Sequence, residues 1–192
     1  MTAVAAFGGS LRRESFNTKL LRAAVELAPD DMDATIAEID RLPLYNADRD
    51  ECLGGGPEPA PVMAFREAIE ISDGMLIVTP EYNWSVPGYI KNAIDWVSRP
   101  AFESVLAGRP TLIMGASRGA AGTGRAQLHL RQILLSTRTP VMLESLELPF
   151  AREHFDEDGR LDQETAVRVR GLMALLAEEI ELAAERSLVR QR

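Results

Sequence analysis

The sequence predicts an α/β fold in which a doubly wound, five-stranded parallel sheet lies between helices on both faces, a three-layer α/β/α arrangement. Short apolar runs alternate along the chain with segments whose apolar residues recur at helical spacing. The run GMLIVT at 74–79 is apolar without interruption, which is typical of a strand buried on both faces. Strands separated by helices favour parallel pairing, because each crossover returns the chain to the same edge of the sheet.

The apolar pattern predicts the elements in chain order. Strands are expected at 3–7, 34–39, 74–79, 110–116 and 140–143, and helices at 15–28, 62–71, 86–97, 124–137 and 162–188. Asp162 is a candidate N-cap of the last helix, and Ser85 is one for the third helix, with Pro87 as its first residue. The pattern closes within the 192 residues, so we predict a single domain over 1–192.

Composition and charge argue against several function classes. The net charge of −8 disfavours a nucleic-acid or anionic-membrane partner, because phosphate binding rests on an excess of Lys and Arg. The single cysteine, Cys52, leaves no internal disulfide and no Cys-rich metal site, and we interpret it as a loop thiol without a catalytic role. No stretch approaches the ~18 apolar residues of a membrane span, and the start does not resemble a secretory signal. We therefore expect a cytoplasmic protein without a bound metal.

The loop after the first strand, within GGSLRRESFNT, carries groups that suit a phosphate. Doubly wound sheets bind ligands outside the carboxyl ends of their strands, which directs attention to loops 8–15, 80–86 and 117–124. In the first of these, hydroxyls, an amide and guanidinium groups precede a helix whose free N–H groups and dipole favour an anion. These groups belong to Ser10, Arg12, Arg13, Ser15 and Asn17. The loop lacks the GxxxxGK[ST] and GxGxxG spacings, so a nucleoside triphosphate or a Rossmann dinucleotide is not expected. The alternative is a capped helix with two solvent-facing arginines.

The second loop, PEYNWS, carries flat and polar groups at the end of a buried strand. Pro80 restricts the backbone, while Tyr82 and Trp84 offer flat apolar faces. Asn83 and the backbone offer paired donors and acceptors, which suits gripping a flat heteroaromatic ring by its polar edge. The alternative is aromatic packing with turn residues.

The third loop, GASRGAAGTG, contains a G-x-S-x-G match that would make Ser117 the nucleophile of an esterase. That motif needs a downstream acid and a His, but no Asp lies between Ser117 and either His129 or His154. The esterase is therefore a remote alternative. What remains is a glycine-rich loop whose backbone can approach a ligand closely.

Three longer motifs connect these loops. The motif G-S-x-R-x-x-S-x-N is met within 9–17, and P-E-Y-N-x-S-x-P-G-x-x-K-N-A-I-D-W is met at every position within 80–96. The motif G-x-R-A-Q-x-x-L-R is met within 122–131, with a loose register of its leading glycines. Together they resemble the NADPH-dependent FMN reductase family, the flavodoxin-like group that includes bacterial quinone and chromate reductases.

The resemblance implies a flavodoxin-like fold, one FMN per subunit and assembly into a homodimer or homotetramer. It would place the FMN phosphate on Ser10, Arg12, Ser15 and Asn17, the isoalloxazine edge along Pro80, Glu81, Tyr82 and Asn83, and the ribityl and pyrimidine side under Ser117 and Gly119. Arg118 departs from many relatives, which carry Pro or Thr at that position, and adds charge near the expected flavin edge.

The function implied is an NAD(P)H-dependent, FMN-containing oxidoreductase. NADPH or NADH would reduce FMN and leave, and a small-molecule electron acceptor would then be reduced: a quinone, free flavin, an azo compound or a metal oxyanion. Because the flavin carries the redox chemistry, no residue is named as catalytic. The alternative is a flavodoxin-type electron carrier without NAD(P)H turnover.

Overall fold

Strands and helices alternate along the chain in the predicted order. The computed structural model describes residues 1–12 and 14–190. The strands are β1 (Thr2–Gly8), β2 (Met32–Ile36), β3 (Gly74–Val78), β4 (Thr111–Ala116) and β5 (Val141–Leu148). The helices are α1 (Phe16–Glu26), α2 (Ala60–Glu70), α3 (Gly88–Val97), α4 (Gly124–Ser136) and α5 (Gln163–Arg190).

The five strands form one parallel sheet in the order β2-β1-β3-β4-β5. This is the strand order of flavodoxin-like folds, so the predicted fold class is confirmed. The chain leaves β1 toward one edge and returns to the other side of β1 as β3. The loops that follow β1 and β3 therefore diverge and leave a crevice at the carboxyl end of the sheet.

Alternating strand residues build two apolar layers, one on each face of the sheet. Side chains such as Val4, Leu76 and Met114 pack against α1 and α5. Their neighbours, such as Phe7 and Ile77, pack on the opposite face against α2, α3 and α4. Burial on both faces explains why the central strands are continuous apolar runs.

Of the two predicted helix caps, Asp162 is confirmed and Ser85 is wrong, and Ser15 supplies a cap that was not predicted. Ser15 caps α1, because its Oγ accepts a hydrogen bond from the Asn17 amide at 3.2 Å. Asp162 caps α5 by accepting from the Thr165 amide at 2.9 Å. The expected Ser85 cap of α3 is wrong: the helix begins at Gly88 after Pro87, without a side-chain cap.

Two strands differ from their predicted bounds by more than one residue at an end. The second strand runs from Met32 to Ile36; the Ala37 amide still donates to the Ala6 carbonyl at 2.8 Å, and buried Ala37 and Ile39 continue the apolar pattern beyond the strand. The fifth strand runs to Leu148 instead of stopping at 143. Its apolar pattern breaks because the register with β4 shifts between Thr111 and Ile113, so β5 carries extra residues there.

The irregular segment 41–60 contains two short 3-10 turns at 47–49 and 51–53, and α3 fixes its beginning. Asn92 accepts from the Tyr45 amide at 2.7 Å and donates to the Pro43 carbonyl at 2.9 Å. The indole of Trp96 donates to the same carbonyl at 2.8 Å. In the described part of the chain, none of the helices has the length and apolar character needed to cross a bilayer.

The backbone conformation of Gly8, at the end of β1, gives a prediction about stability. Gly8 has a φ of +115°, and a Cβ atom there would overlap the carbonyl oxygen of Val78. We expect Gly8→Ala to lower the free energy of unfolding by about 2–4 kcal/mol, from backbone strain and overpacking. Urea denaturation at equilibrium measures this change.

Gly171→Ala is the matched control, because a Cβ atom at Gly171 in α5 meets nothing within 4 Å. It should raise stability by about 0.5–1 kcal/mol, since Ala favours a helix over Gly. A Gly8→Ala variant as stable as the wild type would contradict the tight approach of β1 to β3.

Candidate functional site

The three predicted loops converge at the carboxyl ends of β1, β3 and β4 around a cavity of about 330 Å³. That volume lies within the range of small-molecule sites. Nine of the ten predicted site residues line it: Ser10, Arg12, Ser15, Asn17, Pro80, Glu81, Tyr82, Ser117 and Gly119. Asn83 is exposed and lies outside the lining. Phe16, Ala116 and Arg118 complete the wall.

The first loop begins with a tight turn that Tyr89 supports. Gly8 and Gly9 both have positive φ, and the Gly9 amide donates to the Val78 carbonyl at 2.6 Å. The Tyr89 hydroxyl of α3 donates to the Gly9 carbonyl. Burial raises the pKa of Tyr89, so its hydroxyl stays protonated and remains a donor.

The first loop presents hydroxyls and a guanidinium at the amino end of α1. Ser10 Oγ accepts from the Arg12 amide at 3.2 Å and shares a hydrogen bond with the Tyr82 hydroxyl at 2.9 Å. The Arg12 side chain lines the cavity and has no ion-pair partner among the described residues. Arg13 lies outside the described residues. These groups and the α1 dipole form a site suited to an anion.

The Asn17 side chain joins the first loop to the end of β4. Its Nδ2 donates to the Ala116 carbonyl at 2.8 Å, and its Oδ1 accepts from the Ala116 amide at 2.9 Å. Asn17 is 5% exposed, so water cannot reach the two backbone groups of Ala116, and the Asn17 side chain serves as their hydrogen-bond partner instead. Both polar atoms of the side chain are thus engaged within the protein.

The second loop is a two-residue hairpin. Tyr82 and Ser85 exchange two backbone hydrogen bonds, each of 3.0 Å. The central residues Asn83 and Trp84 have φ values of +50° and +66°, as a type I′ turn requires. Trp84 is 68% exposed, and Tyr82 is half exposed beside the cavity. The hairpin therefore presents Tyr82 to the cavity while Asn83 and Trp84 form its tip.

Glu81 connects the second loop to α4. Its carboxylate accepts from the backbone amides of Arg125 at 3.1 Å and Ala126 at 3.2 Å, and from the Arg125 guanidinium at 2.8 Å. Thr123, the N-cap residue of α4, makes no capping bond of its own. Glu81 therefore caps α4 from a distance of 44 positions along the chain.

The third loop does not assemble an esterase. Ser117 Oγ accepts from the Gly119 amide at 3.1 Å, and within the described residues it bonds to no histidine. His129 instead bonds to Ser85 at 3.0 Å. His154 bonds to Asp162 at 2.9 Å, beside the start of α5.

Asp162 belongs to the cap of α5. Burial would raise the pKa of Asp162, but hydrogen bonds from the Thr165 amide and hydroxyl and from His154 outweigh it and lower the pKa to about 2. The histidine–carboxylate pair is thus part of a helix start, and the remote esterase alternative fails on geometry.

A second polar cluster lies in the 41–60 segment. Asp50, Cys52 and Glu58 bring potential ligand atoms within 4.8 Å of one another. Asp50 already accepts from the Tyr45 hydroxyl and the Cys52 amide, and both oxygens of Glu58 accept from Arg66. These carboxylates are engaged in holding the segment together.

Sequence reasoning missed Tyr89 and Arg125 as parts of the site. Arg125 lies at a defined position of the third motif, which was the available signal, whereas Tyr89 falls at a variable position of the second motif, which gave none. Their partners, Gly9 and Glu81, are 80 and 44 positions away, so their contacts follow from the fold alone.

The Asn17 bonds give a prediction. Asn17→Ala would leave the buried N–H and C=O of Ala116 unpaired, so we expect a loss of about 2–4 kcal/mol in unfolding free energy. Chemical denaturation measures the loss. An unchanged midpoint would contradict the structural role of the side chain.

Asn17→Asp is the isosteric companion. A buried Asp facing the Ala116 carbonyl has a raised pKa, since only the protonated form can donate to that oxygen. The stability deficit relative to the wild type should therefore be smallest below the ordinary carboxyl pKa and should grow as the pH rises. A deficit independent of pH would contradict this account.

Comparison with known proteins identifies relatives over most of the chain. The family model of NADPH-dependent FMN reductases matches residues 2–153. The chain is 50% identical over 130 residues to a 2-hydroxy-1,4-benzoquinone reductase of Burkholderia, covering 68% of each protein. It is 44% identical over 159 residues to an NAD(P)H-dependent FMN reductase of Pseudomonas aeruginosa, covering 82% of this chain and 83% of that one.

A solved structure agrees with these relatives. FerB of Paracoccus denitrificans, a flavoenzyme NAD(P)H:(acceptor) oxidoreductase, matches with a TM-score of 0.85 and 34% identity. The match covers 95% of this chain and 99% of FerB. With its fold, its three loops and these relatives, the chain belongs to the NADPH-dependent FMN reductase family.

Proposed function

We propose that this protein is an NAD(P)H-dependent, FMN-containing oxidoreductase that passes electrons through bound FMN to quinones or other small oxidants. Family membership supports the redox chemistry, and the names of the relatives point to quinones. The observation that carries the proposal is the convergence of an anion site and a flat, proline-restricted hairpin on one cavity. An amphiphilic cofactor with a phosphate at one end and a flat ring at the other fits this pairing.

The phosphate end of FMN is assigned to the first loop. Ser10, Ser15 and the Arg12 guanidinium supply hydroxyl and charge-assisted donors, and the amino end of α1 adds its dipole. Asn17 takes part through its place in the first turn of α1, because Ala116 engages its side chain.

The ring end is assigned to the second and third loops. The isoalloxazine edge would lie along the backbone of Pro80–Tyr82, and Tyr82 would wall the place where the nicotinamide stacks. Ser117 and Gly119 would cover the ribityl and pyrimidine side. The proposal is supported by the presence of residues from both loops in the lining of the same cavity.

The protein's part in the reaction is to bind and orient FMN and to tune its reduction potential. When bound, FMN supplies hydride acceptance and onward electron transfer. Backbone N–H groups of the second and third loops would favour negative charge on the bound ring. Tyr82 would border the face of the ring that flat partners reach. Donor and acceptor would then use the same face in turn, and no side chain is assigned a proton transfer.

Assembly and location complete the proposal. A homodimer or homotetramer is proposed from the family resemblance. A cytoplasmic location is proposed because NAD(P)H is the electron donor. Quinones are the favoured acceptors, while free flavin, azo compounds and metal oxyanions share the chemistry of small oxidants that can reach an open ring.

The first functional prediction concerns the absorbance spectrum. The purified protein should be yellow, or should become yellow with added FMN, and NADPH should bleach the flavin band, which a quinone then restores. Absorbance during anaerobic titration measures both steps. Colourless protein that ignores FMN would contradict the proposal, and a flavin band that NADPH and NADH leave unchanged would favour a flavodoxin-type carrier.

The second functional prediction concerns Arg12. Arg12→Ala removes one charge-assisted phosphate contact, so FMN binding should weaken by roughly 1.5–3 kcal/mol. Isothermal titration with FMN measures the change, and with riboflavin, which lacks the phosphate, the variant should match the wild type. Arg186→Ala, an exposed site on α5, is the control and should bind FMN normally. Equal FMN affinity of Arg12→Ala and wild type would remove Arg12 from the phosphate site.

A further inference from the structure

We propose that Glu81 and Arg125 act together as a clamp that positions the Tyr82–Ser85 hairpin against the flavin ring. Glu81 is thereby a positioning residue, and its carboxylate is not a ligand of the cofactor. This inference rests on the proposed FMN function and deepens it, because it names the contacts that hold the ring-facing loop.

The Glu81 carboxylate is fully engaged on its α4 side. One oxygen accepts from the Arg125 guanidinium at 2.8 Å, and the other accepts from the backbone amides of Arg125 and Ala126 at 3.1 and 3.2 Å. The Glu81 side chain is only 11% exposed, whereas the Arg125 side chain is 47% exposed, so the carboxylate is the shielded member of the pair. Charge-assisted bonds at a helix amino end are among the stronger polar contacts in proteins.

Arg125 carries the clamp on to the tip of the hairpin. Its guanidinium carbon lies 4.4 Å from the centre of the Trp84 ring, in a cation–π arrangement. Trp84 holds a φ of +66°, an unfavourable conformation for a bulky residue that surrounding contacts must maintain. His129 of α4 adds a bond to Ser85 at 3.0 Å. The hairpin is therefore fixed to α4 at its base, its tip and its second strand.

The hairpin also bonds to the first loop. The Tyr82 hydroxyl lies 2.9 Å from Ser10 Oγ. Glu81 lines the cavity between Pro80 and Tyr82, and its carboxylate bonds to α4. Release of its carboxylate would free the backbone that faces the ring, without removing a group that touches the ring.

The clamp and a direct electrostatic role make opposite predictions for the flavin reduction potential. If the two charges acted on the flavin directly, Glu81→Gln would raise the potential and Arg125→Met would lower it. The double variant would then restore the wild-type potential. If the residues act as a clamp, each single variant loosens the hairpin and displaces the backbone N–H groups that would favour negative charge on the ring. Both single variants then lower the reduction potential. The double variant then resembles either single one.

The experiment uses the full-length protein loaded with FMN and the variants Glu81→Gln, Arg125→Met and Glu81→Gln/Arg125→Met. We expect each to weaken FMN binding on the order of tenfold, and to shift the potential in the same downward direction. Opposite shifts of the two single variants, or unchanged FMN affinity and potential in both, would overturn the clamp. Asp158→Asn, which removes a carboxylate from an exposed ion pair, is the matched control and should leave both quantities unchanged.

Hydrogen exchange without FMN provides a readout that is independent of the cofactor. Glu81→Gln should speed exchange at the Arg125 and Ala126 amides, and Arg125→Met should speed exchange at the Tyr82 and Ser85 amides. Exchange rates equal to the wild type in both variants would also overturn the clamp. Failure of the wild-type protein to bind FMN would instead overturn the proposed function, which separates the two outcomes.

Discussion

The shape of the candidate site depends on the two buried hydrogen bonds between Asn17 and the backbone of Ala116. They join the start of α1 to the end of β4, at the place where β4 passes into the third loop. Because the pair is shielded from water, breaking it leaves two backbone groups without partners. Glu81 joins the second loop to α4, and Tyr82 bonds to Ser10 of the first loop. Hydrogen bonds thus join the three loops to one another or to a neighbouring helix.

The parallel sheet brings the three loops close enough to form these hydrogen bonds. Since β1, β3 and β4 all end at the same edge, residues separated by 99 positions, such as Asn17 and Ala116, come within hydrogen-bond distance. Close approach of β1 to β3 requires Gly8, whose missing side chain lets the Val78 carbonyl reach the turn. The position of the cavity is therefore determined by the strand order and by small residues at the strand ends. The loops that follow these strands supply its polar lining.

Sequence patterns predicted the features that depend on neighbouring residues. They did not predict the features that depend on contacts between distant parts of the chain. The element order, the Asp162 cap and the meeting of the three loops follow from periodicity, capping chemistry and strand polarity, while the individual site residues came from the family resemblance. The extent of β5 depends on its register with β4, and the start of α3 depends on a hairpin closed by backbone bonds. Asn17 and Glu81 were identified as polar motif residues, but their partners lie far along the chain and could not be inferred from spacing. The FMN contacts of the site residues and the single-domain assignment stay predictions.

Charge at the site differs from the charge of the whole chain. The protein carries a net charge of −8, yet Arg12 and Arg118 line the cavity, and the Glu81 carboxylate there is paired with Arg125. Over a Debye length of about 8 Å at physiological salt, an anion inside the cavity interacts chiefly with these nearby groups. An acidic protein can in this way bind a phosphate without attracting nucleic acid, whose recognition needs an extended basic surface. Arg118 adds to this local positive field, so a net negative charge that disfavours large polyanions is compatible with a small anionic cofactor in the cavity.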